Sequence, residues 1–225
     1  MTFISGTRFP HPEEAAPDGL VGISLQLTPP MVIAAYRKGI FPWHRSQNVV
    51  FWYSPPIRMV LFPTQLHISH SLRSLLRKNR FHVTVNKCFH TLIQACAQTH
   101  QRQKGLTWID EVFIDTYTQL HELGKAISIE VWQEQQLAGG LYGVVMGSMF
   151  CGESIFSALP NAGKIALVHL CRLPFEVIDC QLPNPFLEQM GAQPMLRHDF
   201  LKLLNKCLRQ PDRWPTDDLN SEIRF

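Results

Sequence analysis

Asp179 and Gln181 carry polar side chains two positions apart, in a predicted strand over FEVIDCQ. Alternate residues of a strand face the same side, so both side chains are expected on one surface, with Cys180 pointing into the core. The pair can position a reacting group or cap a neighbouring helix. A catalytic thiol at Cys180 is disfavoured by its predicted orientation.

Glu153 lies in the segment CGES, at the predicted end of an apolar strand. A carboxylate in such surroundings is costly unless it is paired, which favours a binding role. We expect Glu153 to bind an ammonium group, and the alternative is an ordinary charge at a strand end. Glu130 and Asp110 are weaker candidates for an acidic role.

The densest cationic cluster lies on the polar side and at the end of a predicted amphipathic helix over HISHSLRSLLRKNRF. Its members are Arg73, Arg77, Lys78 and Arg80. Such a cluster can contact RNA phosphates, which gives affinity without sequence readout. The alternative is a solvated helix face. Lys164, near the start of a later predicted helix, is a second possible phosphate contact.

The strands and helices that position these residues are predicted from the periodicity of hydrophobic residues. Three stretches alternate as an antiparallel meander, namely AISIEVWQEQ, LAGGLYGVVMG and SMFCGES. Asn161 is predicted to cap the helix NAGKIALVHLCR. A strand that begins at Pro174 follows, then the short helix PFLEQMG, a strand at 193–196 and the helix DFLKLLNKCL. The tail from Pro211 is expected to be loose.

The first part of the chain predicts a helix that begins after Thr28 with two prolines and ends by Gly39. Beyond residue 60, FHVTVN is predicted as a strand, and FHTLIQACAQT and DEVFIDTYTQLHELG as helices. The prediction is an α+β protein with a small N-terminal α/β domain (1–60) and a larger domain (61–225) whose sheet is covered by helices.

Composition restricts the possible functions. The 225 residues carry a net charge of +3 and 45% are hydrophobic, so wholesale disorder is excluded and any RNA-binding charge must be local. None of the six cysteines stands in a C-x-x-C pair, which disfavours a zinc site and favours free thiols. No signal sequence and no apolar run of the roughly 20 residues that span a membrane are found, so a cytoplasmic protein without membrane contact is expected.

Eight segments, in order along nearly the whole chain, resemble the leucyl/phenylalanyl-tRNA-protein transferases. They are YRKGIFPW (36–43), WYSPPIRMVLFP (52–63), LHIS (66–69), TWID (107–110), LHELGKAISIEVW (120–132), GGLYGV (139–144), FCGESIFS (150–157) and IDCQ (178–181). The combination of GIFPW, FCGESIFS and DCQ in this order is specific. The chain departs from the family pattern at 24–27, 162–164, Phe186 and 189–191.

The resemblance implies a GNAT-type, acetyltransferase-like second domain with a mixed, mainly antiparallel sheet. It also implies transfer of leucine, phenylalanine or, less well, methionine from aminoacyl-tRNA to proteins that begin with Arg or Lys. Such proteins would thereby be marked for degradation by the N-end rule. The resemblance implies no metal and no acetyl-CoA cofactor, and a monomer is expected.

Roles for individual residues also follow from the resemblance. Gln181 would accept a hydrogen bond from the attacking amine, and Asp179 would polarise and orient Gln181. Candidate walls of the donor pocket are Leu141, Phe150, Ile155 and Ile178, for each of which plain core packing is the alternative. Trp43 and Trp108 would offer a stacking surface to the 3′ adenosine, unless both belong to the core.

Two other functions remain open from the sequence. An acetyl-CoA-dependent acetyltransferase would normally carry a glycine-rich Q/R-x-x-G-x-G/A turn, and LPNAGK (159–164) lacks the full pattern. A non-catalytic tRNA-binding module would keep the basic helix and the tryptophans but would not need Glu153, Asp179 and Gln181.

Overall fold

The computed structural model describes residues 2–104 and 108–213. Its first strands form a small antiparallel sheet in the order β1-β3-β2. These strands are β1 (Leu20–Ser24), β2 (Phe41–Ser46) and β3 (Val49–Tyr53), with helix α1 (Pro29–Tyr36) between β1 and β2 in the chain. The buried Trp52 donates its indole N–H to the Ser24 hydroxyl at 2.8 Å, which ties β3 to β1.

The larger sheet has the strand order β10-β4-β9-β8-β7-β6-β5. Its strands are β4 (Ile57–Leu61), β5 (His82–Val85), β6 (Ala126–Gln133), β7 (Gln136–Met146), β8 (Met149–Ser157), β9 (Val177–Gln181) and β10 (Gln193–Leu196). The helices are α2 (His70–Arg77), α3 (Phe89–Lys104), α4 (Glu111–Glu122), α5 (Ala162–Leu170), α6 (Pro185–Gln189) and α7 (Arg197–Cys207). Among the described strands of this sheet, neighbours pair antiparallel except β8 and β9. The predicted mixed, mainly antiparallel sheet flanked by helices is therefore confirmed.

Alternation along the strands divides the core between the two faces of the larger sheet. Leu141 and Val145 of β7 belong to one apolar cluster, to which α2, α5 and α6 contribute. Tyr142 and Val144 belong to the other cluster, to which α1, α3, α4 and α7 contribute. The first helix thus packs into the same core as the larger sheet.

The parallel pair β8 and β9 is short. It extends only over Met149–Cys151 and Val177–Asp179. On the other edge of β8, Gly152 and Ser154 pair with β7, and Glu153 between them is the extra residue of a β-bulge. A bulge bends the strand and redirects a side chain. Both strands continue beyond their last common pair, and the residues there line a shared cavity.

Most of the predicted elements are confirmed. The three-stranded meander is β6, β7 and β8, α1 follows Thr28, and β10 has the predicted bounds of 193–196. The tail predicted to be loose is described only to residue 213, and the rest of it lies outside the described residues.

Asn161 is the N-cap residue of α5, as predicted, but it does not cap the helix through a side-chain hydrogen bond. Asn161 has a left-handed φ of +70°, and its side chain makes no capping hydrogen bond. The N–H of Gly163 instead donates to the hydroxyl of Ser157 at 2.8 Å. The end of β8 therefore supplies the polar group that satisfies the start of α5.

Two strand limits also differ from the prediction. β8 continues to Ser157, so Glu153 lies within the strand and not at its end. β9 begins at Val177 rather than at Pro174, because the N–H of Phe175 is used in a turn with the carbonyl of Leu173.

None of the helices in the described part of the chain combines the length and apolar character needed to cross a membrane. The six cysteines are free thiols. Within residues 2–104 and 108–213, no group of three or more His, Cys, Asp or Glu side chains is arranged to hold a metal ion.

Candidate active site

A cavity of about 290 Å³ lies where β8 and β9 cease to pair. Its wall contains residues 152–155 of β8 and residues 178–184 in and after β9. The residues that were predicted to bind or transfer the substrate all line it: Trp43, Trp108, Leu141, Phe150, Glu153, Ile155, Ile178, Asp179 and Gln181. The fold therefore brings together segments that are far apart in the sequence.

Glu153 is held at this cavity by two buried tyrosines. Tyr36 of α1 donates a hydrogen bond to its Oε1, and Tyr117 of α4 donates to its Oε2 at 2.9 Å. Burial raises the pKa of Glu153 to about 7, although the hydrogen bonds from the tyrosines act in the opposite direction. Burial also raises the pKa of both tyrosines well above 10, so both remain protonated donors at neutral pH.

The side-chain amide of Gln181 has a defined direction. Its Nε2 lies 3.2 Å from Tyr36 Oη and 3.3 Å from Glu153 Oε1. Tyr36 gives its only proton to Glu153, so both neighbours act as acceptors and the NH₂ end must face them. The carbonyl Oε1 of Gln181 is consequently the end of the amide that is not engaged by Tyr36 and Glu153.

The backbone of Gln181 is fixed by Asp179. Gln181 has a φ of +61°, a left-handed conformation that costs a non-glycine residue about 1–3 kcal/mol. Its N–H donates to Asp179 Oδ1 at 2.9 Å. Asp179 is fully buried and accepts two further hydrogen bonds from Arg58, from Nε at 2.8 Å and from Nη2 at 2.6 Å.

Asp179 and Gln181 are therefore in contact, through the carboxylate of one and the backbone N–H of the other. Asp179 holds the backbone N–H of Gln181, whereas the amide side chain contacts Tyr36 and Glu153. Both side chains lie towards the cluster that contains Tyr36, so the predicted common face of the two residues is retained. The side chain of Cys180 packs into an apolar cluster, and burial raises the pKa of its thiol well above 9. A thiolate is thus disfavoured there.

The apolar wall of the cavity contains the predicted donor-pocket residues. Leu141, Phe150 and Ile178 are buried, and Ile155 is half-buried beside them. Side chains from α5 and α6 that the sequence analysis did not select complete this wall: Leu167, Leu170, Phe186 and Leu187. Their spacing is that of ordinary helix packing, so nothing in the sequence separates them from the core.

Both tryptophans lie at the cavity. Trp43 is 39% exposed and meets Tyr53 edge to face, with ring centroids 4.7 Å apart. Trp108 is half-buried and meets Phe113 in the same way at 5.4 Å. Since neither ring is fully buried, both leave surface on which a nucleobase can stack.

The predicted RNA-binding cations lie on the surface, outside the cavity wall. Arg73 and Arg77 are on α2, and Lys78 and Arg80 follow it, and all four are exposed. On the other side of α2, Leu72 and Leu76 are buried in the apolar cluster that also contains the donor-pocket residues. Lys164 is half-buried in the first turn of α5.

The two weaker acidic candidates have structural contacts outside the cavity wall. Glu130 is fully buried and accepts hydrogen bonds from Thr84, Ser128 and two backbone N–H groups. Asp110 caps α4 through the N–H of Phe113 and forms an ion pair with Arg45 at 2.7 Å. Neither residue lines the cavity, so the structure gives no support to a binding role for them there.

Sequence reasoning missed Tyr36, Tyr117 and Arg58. Tyr36 and Arg58 stand in two of the segments on which the resemblance rests, YRKGIFPW and WYSPPIRMVLFP. That position was the available signal. Tyr117 lies in an ordinary amphipathic helix pattern, and only the tertiary structure brings it to Glu153.

Comparison with known proteins settles the family. Residues 60–205 match the model of the leucyl/phenylalanyl-tRNA protein transferase family, and residues 26–56 match the model of its N-terminal domain. The chain belongs to the leucyl/phenylalanyl-tRNA protein transferase family. The family resemblance found in the sequence is thus confirmed, and the protein is an enzyme of the transferase class.

Similar proteins span nearly the whole chain. The leucyl/phenylalanyl-tRNA–protein transferase of Aeromonas hydrophila is 45% identical over 209 residues, which cover 90% of this chain and 88% of that protein. The protein of the same name from Legionella pneumophila strain Corby is 43% identical over 96% of this chain and 100% of its own length. Among solved structures, a GCN5-related N-acetyltransferase from Kribbella flavida covers 73% of this chain and 60% of its own, with 6% identity and a TM-score of 0.40.

Proposed function

We propose that the cavity between β8 and β9 transfers leucine or phenylalanine, and methionine less well, from aminoacyl-tRNA to the α-amine of an acceptor protein that begins with Arg or Lys. The observation that carries the proposal is the joint location of an apolar wall and a polar cluster in one cavity. The polar cluster is Glu153, Tyr36 and Gln181. The names of the similar proteins support leucyl- or phenylalanyl-tRNA as the donor and a protein as the acceptor.

The proposed reaction is aminolysis of the ester that links the amino acid to the tRNA 3′ ribose. The amine nitrogen attacks the ester carbonyl carbon, the new C–N bond forms and the C–O bond to the ribose breaks. The amine loses a proton and the departing ribose oxygen gains one. Alignment of two substrates in one site can lower the barrier by about 7–11 kcal/mol, so strong chemical catalysis is not required.

The side-chain amide of Gln181 is oriented as this reaction requires. Since its Nε2 is engaged by Tyr36 and Glu153, its Oε1 is the atom offered to the attacking amine. An amide is a weak base, so the role of Gln181 is to position the amine. The accepted hydrogen bond aims the nitrogen lone pair at the ester carbon.

Glu153 supports the amine electrostatically. Its pKa of about 7 lies within about one unit of the pKa of an α-amine, so a proton passes between the two groups at little cost in free energy. In its charged form Glu153 attracts an ammonium group, either the α-ammonium or the basic side chain of the acceptor. The hydroxyl of Tyr142, whose side chain also lines the cavity, is buried and has no hydrogen-bond partner among the described residues.

The apolar wall suits a bulky donor side chain that is unbranched at Cβ. Leu141, Phe150 and Ile178 offer it no polar partner, and selection by size alone discriminates weakly among similar side chains. Because this discrimination is weak, one pocket can accept leucine, phenylalanine and methionine. Trp43 and Trp108 would stack on the 3′ adenosine, and the exposed cluster on and after α2 would contact tRNA phosphates.

Several finer points remain proposals. The two separate sheets support a division into a small N-terminal domain and a catalytic domain. Because β4 (Ile57–Leu61) pairs within the larger sheet, the proposed boundary lies before Ile57 rather than at residue 60. Location in the cytoplasm, the monomeric state and the link to degradation by the N-end rule stay predictions.

The experiment uses tRNA charged with labelled leucine or phenylalanine and a peptide that begins with arginine. Transfer of label to this peptide, but not to its N-acetylated form, is the expected result. Binding of charged tRNA without transfer would contradict the proposal and favour a binding module. Calorimetric binding of acetyl-CoA, with no aminoacyl transfer, would favour the acetyltransferase.

A further inference from the structure

Arg58 occupies an unusual position for a charged residue. It is 1% exposed, and its guanidinium group lies between the rings of Phe41 and Phe200, 4.6 Å and 4.5 Å from their centroids. Its Nη1 donates to the carbonyl of Gly39 at 3.3 Å. The two ring contacts and the hydrogen bond at its edge together fix the orientation of the guanidinium group.

This orientation determines the position of Asp179. The Nε and Nη2 atoms of Arg58 bind the two carboxylate oxygens separately, at 2.8 Å and 2.6 Å. A carboxylate held at both oxygens cannot rotate. The same Oδ1 that receives Nε also receives the backbone N–H of Gln181 at 2.9 Å. A rigid chain of contacts therefore connects Arg58 to the left-handed backbone of Gln181.

We infer that Arg58 is a positioning residue for the transfer reaction, because it fixes Asp179 and thereby the backbone from which Gln181 reaches the substrate. The inference rests on the proposed function of Gln181. Arg58 acts through another residue and does not line the cavity wall. It lies on β4, so a strand that precedes the meander in the chain sets the geometry of β9.

Lysine cannot replace Arg58 in this role. A lysine ammonium would keep the positive charge beside Asp179, but it is a point charge without a planar fork and without two fixed donors. If Arg58 only neutralised Asp179, Arg58→Lys would retain activity. If Arg58 orients Asp179, Arg58→Lys loses activity although the charge balance is unchanged.

The test compares Arg58→Lys and Arg58→Met with the wild-type protein and with Glu130→Gln. Glu130→Gln is the matched control, because it also changes a fully buried, hydrogen-bonded charge but one outside the cavity wall. Transfer kinetics with charged tRNA and an arginine peptide give kcat and KM. Amide hydrogen exchange at Gln181, followed by NMR, reports the backbone contact independently of activity.

Both Arg58 variants are expected to lower kcat about 100-fold with unchanged KM for charged tRNA, because a displacement of about 1 Å has an effect of this size. Exchange at the Gln181 amide should become faster in both, and Glu130→Gln should change neither quantity. Where Arg58→Met does not fold, the double variant Arg58→Met/Asp179→Asn removes the unpaired buried charge and should remain inactive. Wild-type kcat in the double variant or in Arg58→Lys would overturn the inference.

A wild-type protein that transfers nothing would contradict the proposed function rather than the role of Arg58. Hydrogen exchange alone then decides that role. Faster exchange at Gln181 in the Arg58 variants than in Glu130→Gln would support it, and equal exchange would overturn it.

Discussion

Tyr36 and Glu153 are joined by a hydrogen bond although 117 positions of sequence separate them. The bond links the first helix to the bulge in β8, and the same tyrosine oxygen accepts a hydrogen bond from Gln181. One hydroxyl group thus connects the acidic residue of the cavity to the amide that is proposed to orient the amine. The first helix is therefore part of the candidate active site and not only a neighbour of it.

Tyr36→Phe is expected to lower kcat by about 10-fold to 100-fold, because Gln181 loses the contact that sets the direction of its amide. Tyr117→Phe is the matched control, since Tyr117 contacts Glu153 and has no described bond to Gln181. It should have the smaller effect. Steady-state transfer kinetics measure both, and equal losses in the two variants would contradict the role given to Tyr36.

Removal of the Glu153 carboxyl group should change how the free energy of unfolding depends on pH. The pKa of Glu153 is about 7 in the native protein, against an ordinary value of 4.5. Between these values the native protein keeps a proton that the unfolded chain releases. The contribution of this group to stability is therefore full below pH 4.5, falls as the pH rises and is lost above pH 7.

The free energy of unfolding of wild type relative to Glu153→Gln should accordingly decrease by roughly 3 kcal/mol from pH 4.5 to pH 7.5. Urea unfolding at a series of pH values measures it. A difference that stays constant with pH would mean that the pKa of Glu153 is not raised.

Ile155→Phe should change the choice of donor. Ile155 is half-buried at the apolar wall, so a larger side chain takes volume from the cavity without replacing a fully buried residue. Transfer of phenylalanine should fall more than transfer of leucine, by about 10-fold in the ratio of their kcat/KM values. Competition between the two charged tRNAs in one reaction measures this ratio. An unchanged ratio would exclude Ile155 from the donor pocket.

Arg77→Ala and Lys78→Ala should weaken binding of charged tRNA and leave kcat unchanged, because phosphate contacts supply affinity and not chemistry. Each substitution should reduce the slope of log K against log salt by about one. Lys202→Ala, an exposed cation of α7, is the control and should have little effect. A salt slope that all three variants share with wild type would assign the RNA contact to another surface.

Much of the fold could be predicted from the sequence because its signals are local. Alternating hydrophobic residues predicted β6, β7 and β8. Two prolines at its start and a glycine after its end predicted α1. The hydrogen bond at the start of α5 could not be predicted, because the acceptor for the N–H of Gly163 is the hydroxyl of Ser157 in the preceding strand. The bulge at Glu153 likewise depends on pairing with β7 and leaves no mark in the hydrophobic pattern.

The sequence predicted which residues form the candidate site, but it did not predict the hydrogen bonds among them. The residues predicted to be catalytic or to form the substrate pocket, Glu153 and Gln181 among them, line one cavity. Their partners are less evident from the sequence: Tyr117 lies in an ordinary amphipathic helix, and Arg58 lies in a family segment but carries no pattern that assigns it to Asp179. Long-range contacts of this kind decide which atoms of Gln181 and Asp179 are engaged, and only the tertiary structure supplies them.

The most direct test of the proposed mechanism is single-turnover transfer by Gln181→Ala, with the enzyme in excess over tRNA charged with labelled leucine. Glu130→Gln serves as the control for a change of a buried polar residue outside the cavity wall. The mechanism predicts that Gln181→Ala binds charged tRNA as wild type does, but transfers label to an arginine peptide about 100-fold more slowly. Transfer at the wild-type rate by Gln181→Ala would contradict the assignment of Gln181 and, with it, the central role of the cavity's polar cluster.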